Sequence, residues 1–335
     1  MIRIDHAPQA QFGRDDGPGQ EHLRWFKKIE LVEGQNPDLT GHDVVLIGFA
    51  SDEGVRRNKG RQGARNAPAA LRAALAPLAV STEQAHVNVA DLGDVVVNET
   101  DHDPAADGPG DILAEGQQRL ADNVAATIDA DALPIVLGGG HEVAFGTYSG
   151  VASAKKRAGK RVGILNLDAH FDLRAADRPS SGTPFRQALE AEKAAGTELS
   201  YAIVGISQPS NTQVLFDTAE EFGVRYLLDE NCQESDRAEV VRFVEEYAAG
   251  VDVLYLTVDL DVLPASVAPG VSAPAAYGVP LPVILDATRA AAASGKLVAA
   301  DVAELNPEFD LDSRTAKSAA RILHTLMCNH QKEQS

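Results

Sequence analysis

The run Val162-Gly163-Ile164-Leu165-Asn166-Leu167-Asp168-Ala169-His170-Phe171-Asp172 decides how the rest of this chain is read. Its first six positions are mostly apolar, of strand length, and lack the apolar–polar alternation of a half-exposed strand. Continuous apolarity of this kind suits a strand buried on both faces of a parallel sheet. The last five positions place two carboxylates and an imidazole where that strand ends. Side chains of an extended chain alternate between sides, so Asp168, His170 and Asp172 can point the same way.

Working outward, the same signature recurs at Val44–Ala50, Val87–Gly93, Pro134–Gly138, Tyr201–Ile206, Val224–Leu228, Val253–Val258 and Leu297–Val302. Between these runs, helical spacing marks Pro68–Leu78, Ile112–Ile128, Val143–Ala158, Ala188–Ala195, Val214–Phe222, Asp236–Ala249 and Pro282–Ala293, and the chain ends on a predicted helix, Thr315–His330. Eight strands alternating with helices predict an α/β fold, a parallel sheet with helices on both faces. Residues 1–40 are irregular and Gly/Pro-punctuated, and read as an N-terminal arm. Residues 41–335 show no composition break or repeat and read as one catalytic domain. The Asp-, Pro- and Gly-rich segment 98–110 reads as a loop.

Composition removes several classes of function. The 335 residues carry 49 acidic and 30 basic side chains, a formal charge of −19. Such a surface repels nucleic acid and anionic lipid. No apolar run approaches the roughly 18 residues of a membrane span, and the polar N-terminus lacks the apolar core of a signal peptide. Two cysteines far apart, Cys232 and Cys328, suggest neither a disulfide framework nor a zinc ribbon, so a reducing cytoplasm is the expected compartment.

Two further islands match the one quoted above. Gly138-Gly139-Gly140-His141-Glu142 follows one apolar run, and Asp259-Leu260-Asp261 follows another. All three fall at the carboxyl ends of predicted strands, the edge where ligand sites form in parallel sheets. Four carboxylates crowded at one edge repel one another unless cations neutralise them. A mixed oxygen and imidazole set without thiolate favours manganese, iron or zinc over calcium. The candidate ligands are therefore His141, Asp168, His170, Asp172, Asp259 and Asp261. The glycines before His141 are expected to permit a sharp backbone turn.

At these residues the chain resembles the arginase–agmatinase superfamily of ureohydrolases, through G-G-G-H-E at 138–142, D-A-H-F-D at 168–172, D-L-D at 259–261 and E-L-N-P at 304–307. The resemblance implies a three-layer α/β/α fold around an eight-stranded parallel sheet, two Mn2+ ions per subunit, and a homo-oligomer. It implies that Asp168 and Asp259 bridge the ions, that His141 and Asp172 complete one ion's shell, and that His170 and Asp261 complete the other's. Glu304 matches the acid that grips the cationic end of the substrate. The loop Ser180–Gln187, together with Asp172-Leu173-Arg174, the stretch Ser51–Asn58 and the early Phe12-Gly13-Arg14-Asp15, resembles the formimidoylglutamase branch. Phe185 stands where arginases carry a histidine, which argues against arginase and leaves the proton donor to the leaving amine unidentified.

The expected reaction is hydrolysis of the small molecule N-formimino-L-glutamate in histidine breakdown. The ions would activate water, Asp172 would take up its proton, and Glu304 would orient the amidine. A substrate with two carboxylates needs local positive charge, and Arg174 and Arg186, with Ser181, are the expected binding groups. Arg56, Arg57, Lys59, Arg61 and Arg65 form a basic cluster that reads as a solvated loop or subunit contact. Two rivals stand beside this reading: a guanidino hydrolase of the agmatinase or guanidinobutyrase type, and a non-catalytic metal-binding homologue.

Overall fold

The computed structural model describes residues 2–34, 36–97 and 111–331; the loop expected at 98–110 lies outside them. The strands are β1 (Ile29–Leu31), β2 (Val44–Ala50), β3 (Val89–Val96), β4 (Leu133–Leu137), β5 (Val162–Leu167), β6 (Leu199–Ile206), β7 (Arg225–Leu228), β8 (Val253–Asp259) and β9 (Leu297–Ala303). They form one nine-stranded sheet in the order β1-β3-β2-β4-β9-β8-β5-β6-β7, and every pairing is parallel. The eight apolar runs correspond to β2 through β9. The ninth strand corrects the expected count: Ile29–Leu31, in the segment read as an irregular arm, pairs with β3 at the sheet's edge. Its three residues are too short to leave a periodic signal.

The helices are α1 (Trp25–Lys28), α2 (Glu53–Arg57), α3 (Ala67–Leu75), α4 (Ile112–Asp129), α5 (Val143–Ser153), α6 (Pro184–Ala195), α7 (Gln213–Glu221), α8 (Arg237–Ala249), α9 (Leu281–Ala293) and α10 (Arg314–Asn329). Strand alternation splits the core in two. Val44, Leu46, Ile135, Leu165 and Leu256 face a cluster formed with α3, α8, α9 and α10. Val45, Ile47, Val136, Ile164 and Tyr255 face another formed with α4, α5, α6 and α7. Strands clad on both faces are apolar at most positions, which is why they read as near-continuous runs; β7, at the sheet's edge, is only partly covered.

The strand order places the site. β4 lies beside β2, the chain then crosses to build β5, β6 and β7, and only afterwards returns to insert β8 and β9 between β4 and β5. The carboxyl ends of β4, β9, β8 and β5 are thus neighbours at the centre of the sheet, where the winding reverses. Ligand crevices open at such points.

Candidate metal centre

Each island occupies one of those four ends. After β4, the glycines are dictated by close approach rather than by an unusual φ. A Cβ on Gly139 would lie 1.8 Å from the Ser51 carbonyl oxygen, and one on Gly140 would lie 2.2 Å from a Glu142 carboxylate oxygen. The loop can therefore tuck against the end of β2 and deliver His141, only 1% exposed, into the cleft. After β5, Asp168 and His170 follow directly, but Asp172 takes a left-handed backbone with φ 50°, so strict extended alternation fails there even though the side chain still reaches the site. After β8, Asp259 accepts the Asp261 N–H at 2.8 Å as the chain enters a 3-10 turn over Leu260–Val262. After β9, Glu304 also has a left-handed backbone, φ 68°, and its Oε1 accepts the His141 N–H at 2.8 Å.

The six residues converge as two groups: His141, Asp168, Asp172 and Asp259 form one, and Asp168, His170 and Asp261 the other. His141 Nδ1 lies 3.2 Å from Asp168 Oδ2, 3.0 Å from Asp172 Oδ2 and 3.1 Å from Asp259 Oδ2. His170 Nδ1 lies 3.0 Å from Asp261 Oδ2 and 3.6 Å from Asp168 Oδ1. Asp168 thus offers one oxygen to each group. Asp259 joins the first group through Oδ2, while its Oδ1 takes the Asp261 N–H.

These distances suit cations. Donors about 2.0–2.2 Å from an ion and at right angles to one another lie about 3 Å apart. Asp261 Oδ1 and Glu304 Oε2 are buried and lack any hydrogen-bond partner, a costly arrangement unless something else satisfies them. The residues present fit a pair of divalent ions.

Electrostatics agrees. Burial opposes charge on His141, yet Asp168, Asp172 and Asp259 around it carry its pKa well above the ordinary imidazole value. Burial likewise resists ionisation of Asp168, but His141 and His170 pull it below the usual carboxylate range. Burial pushes Asp172, Asp259 and Asp261 upward. Burial, reinforced by the charge of Glu142, raises Glu304 to about 8, and Glu142 itself rises to about 7. Divalent cations bound to such a set would displace those protons and offset the same crowded charge.

The centre opens into a cleft of about 100 Å³ whose lining includes Asn58, Arg174, Ser181, Ser272 and Glu304 with five of the ligands. Arg174 is exposed at its rim, and Ser181 is buried, its Oγ accepting from Asn58 Nδ2 at 3.2 Å. Arg186 sits apart: it lies on α6, its Nε donates to Glu190 at 2.8 Å, and it shares with Arg174 an adjoining depression of about 260 Å³. Asn58, Ser272 and Ala273 were not singled out by sequence; Asn58 stood in the stretch Ser51–Asn58, but nothing there marked its direction.

Phe185 stacks on Tyr201 with centroids 4.6 Å apart and meets the His141 ring edge-on at 5.2 Å. It packs beneath a ligand and has no proton to give. Most of the basic cluster is engaged within the chain. Glu53 receives Arg56 at 2.6 Å and Arg57 at 2.7 Å, and Arg57 also reaches Asp111 and the Pro179 carbonyl. Arg61 donates to the Ser272 carbonyl and lies 4.2 Å over the Phe309 ring.

Fold and site together define a three-layer parallel α/β protein with a buried carboxylate–histidine metal centre at its topological reversal. The Arginase family profile matches residues 42–328, and the chain belongs to that family. It is 55% identical over 96% of its length to a formimidoylglutamase of Rhodococcus opacus, covering 95% of that protein. Among solved structures, it resembles a Trypanosoma cruzi formiminoglutamase with Mn2+2, at TM-score 0.73 and 26% identity over 86% of this chain and 93% of that one. The fold also matches a formimidoylglutamase of Bacillus subtilis at TM-score 0.75 and 24% identity, covering 95% of this chain and 93% of that one.

Proposed function

We propose that this chain hydrolyses N-formimino-L-glutamate to L-glutamate and formamide, using two Mn2+ ions per subunit held by His141, Asp168, His170, Asp172, Asp259 and Asp261. The observation that carries the reading is the 55% identity to a formimidoylglutamase across 96% of the chain, joined to the convergence of the six candidate ligands beneath a cleft that Glu304 and five of them line. Water adds its oxygen to the formimino carbon, the bond from that carbon to the glutamate nitrogen breaks, and that nitrogen leaves protonated as an amine. Bound in the centre, divalent ions would supply Lewis-acid activation of water and of the amidine.

The chain's own residues do the rest. Glu304 Oε2 is buried without a partner, while Oε1 is held by the His141 amide; the free oxygen accepts an N–H of the cationic amidine and orients it. Asp172 takes the proton released by water. Arg174, at the rim and without a carboxylate partner among the described residues, meets a substrate carboxylate, with Ser181 beside it. Arg186 contributes from the adjoining depression only through longer-range charge, since Glu190 already engages it.

A guanidino substrate with a cationic tail meets Arg174 as a like charge, which disfavours agmatine. Among the described residues no helix is long and apolar enough to cross a membrane; the reading places the enzyme in the cytoplasm, as a homo-oligomer. Steady-state rates of manganese-loaded protein on formiminoglutamate, arginine, agmatine and guanidinobutyrate test the proposal. Turnover is expected on formiminoglutamate above the other three, and a preference for agmatine would overturn it.

A further inference from the structure

We propose that Thr257 and Asp301 act as positioning residues that fix which nitrogen of His141 carries its proton, and so which nitrogen faces the first metal ion. This inference rests on the ion-pair reading above. Thr257 on β8 and Asp301 on β9 are both fully buried, in the middle of otherwise apolar strands. Neither touches the cleft. A carboxylate in such surroundings is retained only where its partners satisfy it.

Here the partners form a one-way chain. The Tyr255 hydroxyl donates to Asp301 Oδ2, and Thr257 Oγ1 donates to Asp301 Oδ1 at 2.5 Å. A threonine hydroxyl has a single hydrogen, and it is committed to Asp301. Toward His141 Nε2, 3.0 Å away, Thr257 can therefore only accept. The proton of the neutral imidazole is held on Nε2, and the Nδ1 lone pair turns toward Asp168, Asp172 and Asp259. A hydrogen-bonded partner on the far nitrogen of a ligating histidine sets tautomer and ring orientation, and its loss costs metal affinity.

His170 offers an internal contrast. It is about one-fifth exposed, and among the described residues no protein group hydrogen-bonds its Nε2. Loss of the Thr257 hydroxyl therefore acts on one ion and spares the other. A role in general packing would loosen both.

The test is manganese binding to metal-stripped protein by calorimetry, comparing the parent with T257V and T257S. T257V is expected to weaken one of the two ions by about 10- to 100-fold and leave the other near its parental affinity, and T257S to restore parental binding at both. Parental binding by T257V, or equal weakening of both ions that T257S does not rescue, would overturn the lock. Where T257V fails to fold, neutron diffraction from the manganese-loaded parent decides. Deuterium on His141 Nε2 with the Thr257 hydroxyl aimed at Asp301 upholds the chain, whereas a Thr257 hydroxyl aimed at Nε2 breaks it. A parent that binds fewer than two ions removes the ion-pair reading and the lock with it; a two-ion parent matched by T257V removes the lock alone.

Discussion

The floor and the rim of the cleft are built on different terms. The floor is the ends of four adjacent strands, and its acids are almost wholly buried: Asp168 is 0% exposed and Asp259 3%. Their positions are set by the sheet, and moving one means moving a strand. The rim is the loop from Arg174 to Thr183 and the start of α6, where Arg174 is exposed and Arg186 is tied to Glu190. The floor supplies chemistry that every substrate of such a centre needs. The rim supplies a few charges that can be exchanged without disturbing the sheet. On the proposed reading, substrate preference can change at the rim while the floor stays constant.

The floor is most vulnerable at Asp168, the side chain common to both ligand groups. Asp168→Ala is expected to lower turnover by at least about 1,000-fold, because the proposed ions would supply several kcal/mol of transition-state stabilisation. Bound metal, measured by elemental analysis, should fall with it; near-parental turnover would refute the two-ion floor.

The rim should answer differently. Arg174→Ala is expected to raise KM for formiminoglutamate about 10-fold, the lower end for a charged hydrogen bond because the exposed rim stays hydrated. Metal content should remain parental. Arg186→Ala, made in parallel, should change KM by no more than about 2- to 3-fold, the scale of an exposed ion pair. An Arg186 effect larger than that of Arg174 would show that the substrate lies in the adjoining depression instead.

The smallest effect concerns the tether between the two regions. Burial raises the Glu53 carboxyl, but Arg56 and Arg57 outweigh it and hold the group below its ordinary value. The stabilisation is therefore fully present above the unfolded value of about 4.5 and is lost as pH falls through the folded one. Glu53→Gln should lower the melting temperature by a few degrees at pH 7, following from a loss of about 1–2 kcal/mol. The gap from the parent should close toward pH 3. A gap that is unchanged in acid would show that the tether works by packing rather than charge.

Much of this was legible in the sequence for a physical reason. Strands covered on both faces leave few polar positions, so most of the sheet reads as apolar runs, and residues that break apolarity just past their ends stand out. Hence His141, Asp168, His170, Asp259 and Asp261 were found where the sheet puts them. β1 escaped because three residues on an edge carry no periodicity. Asp301 escaped although a signal existed: a charged residue inside the run Leu297–Val302 needs a buried partner. Thr257 gave no such signal, since threonine is at home in any strand. The rim was the least legible, because whether an arginine meets a neighbour on its own helix, as Arg186 does, or faces the cleft depends on loop geometry that no periodicity encodes.

Two residues of the centre, Asp172 and Glu304, hold the left-handed backbone conformation. A side-chain-bearing residue there costs on the order of 1–3 kcal/mol, and glycine would relieve it. Any laboratory selection for heat resistance alone would thus be drawn toward glycine at 172 and 304, and would harvest sturdier proteins that had lost the side chains proposed to bind metal and to orient the amidine. Durability and competence pull this chain in opposite directions at two identifiable codons.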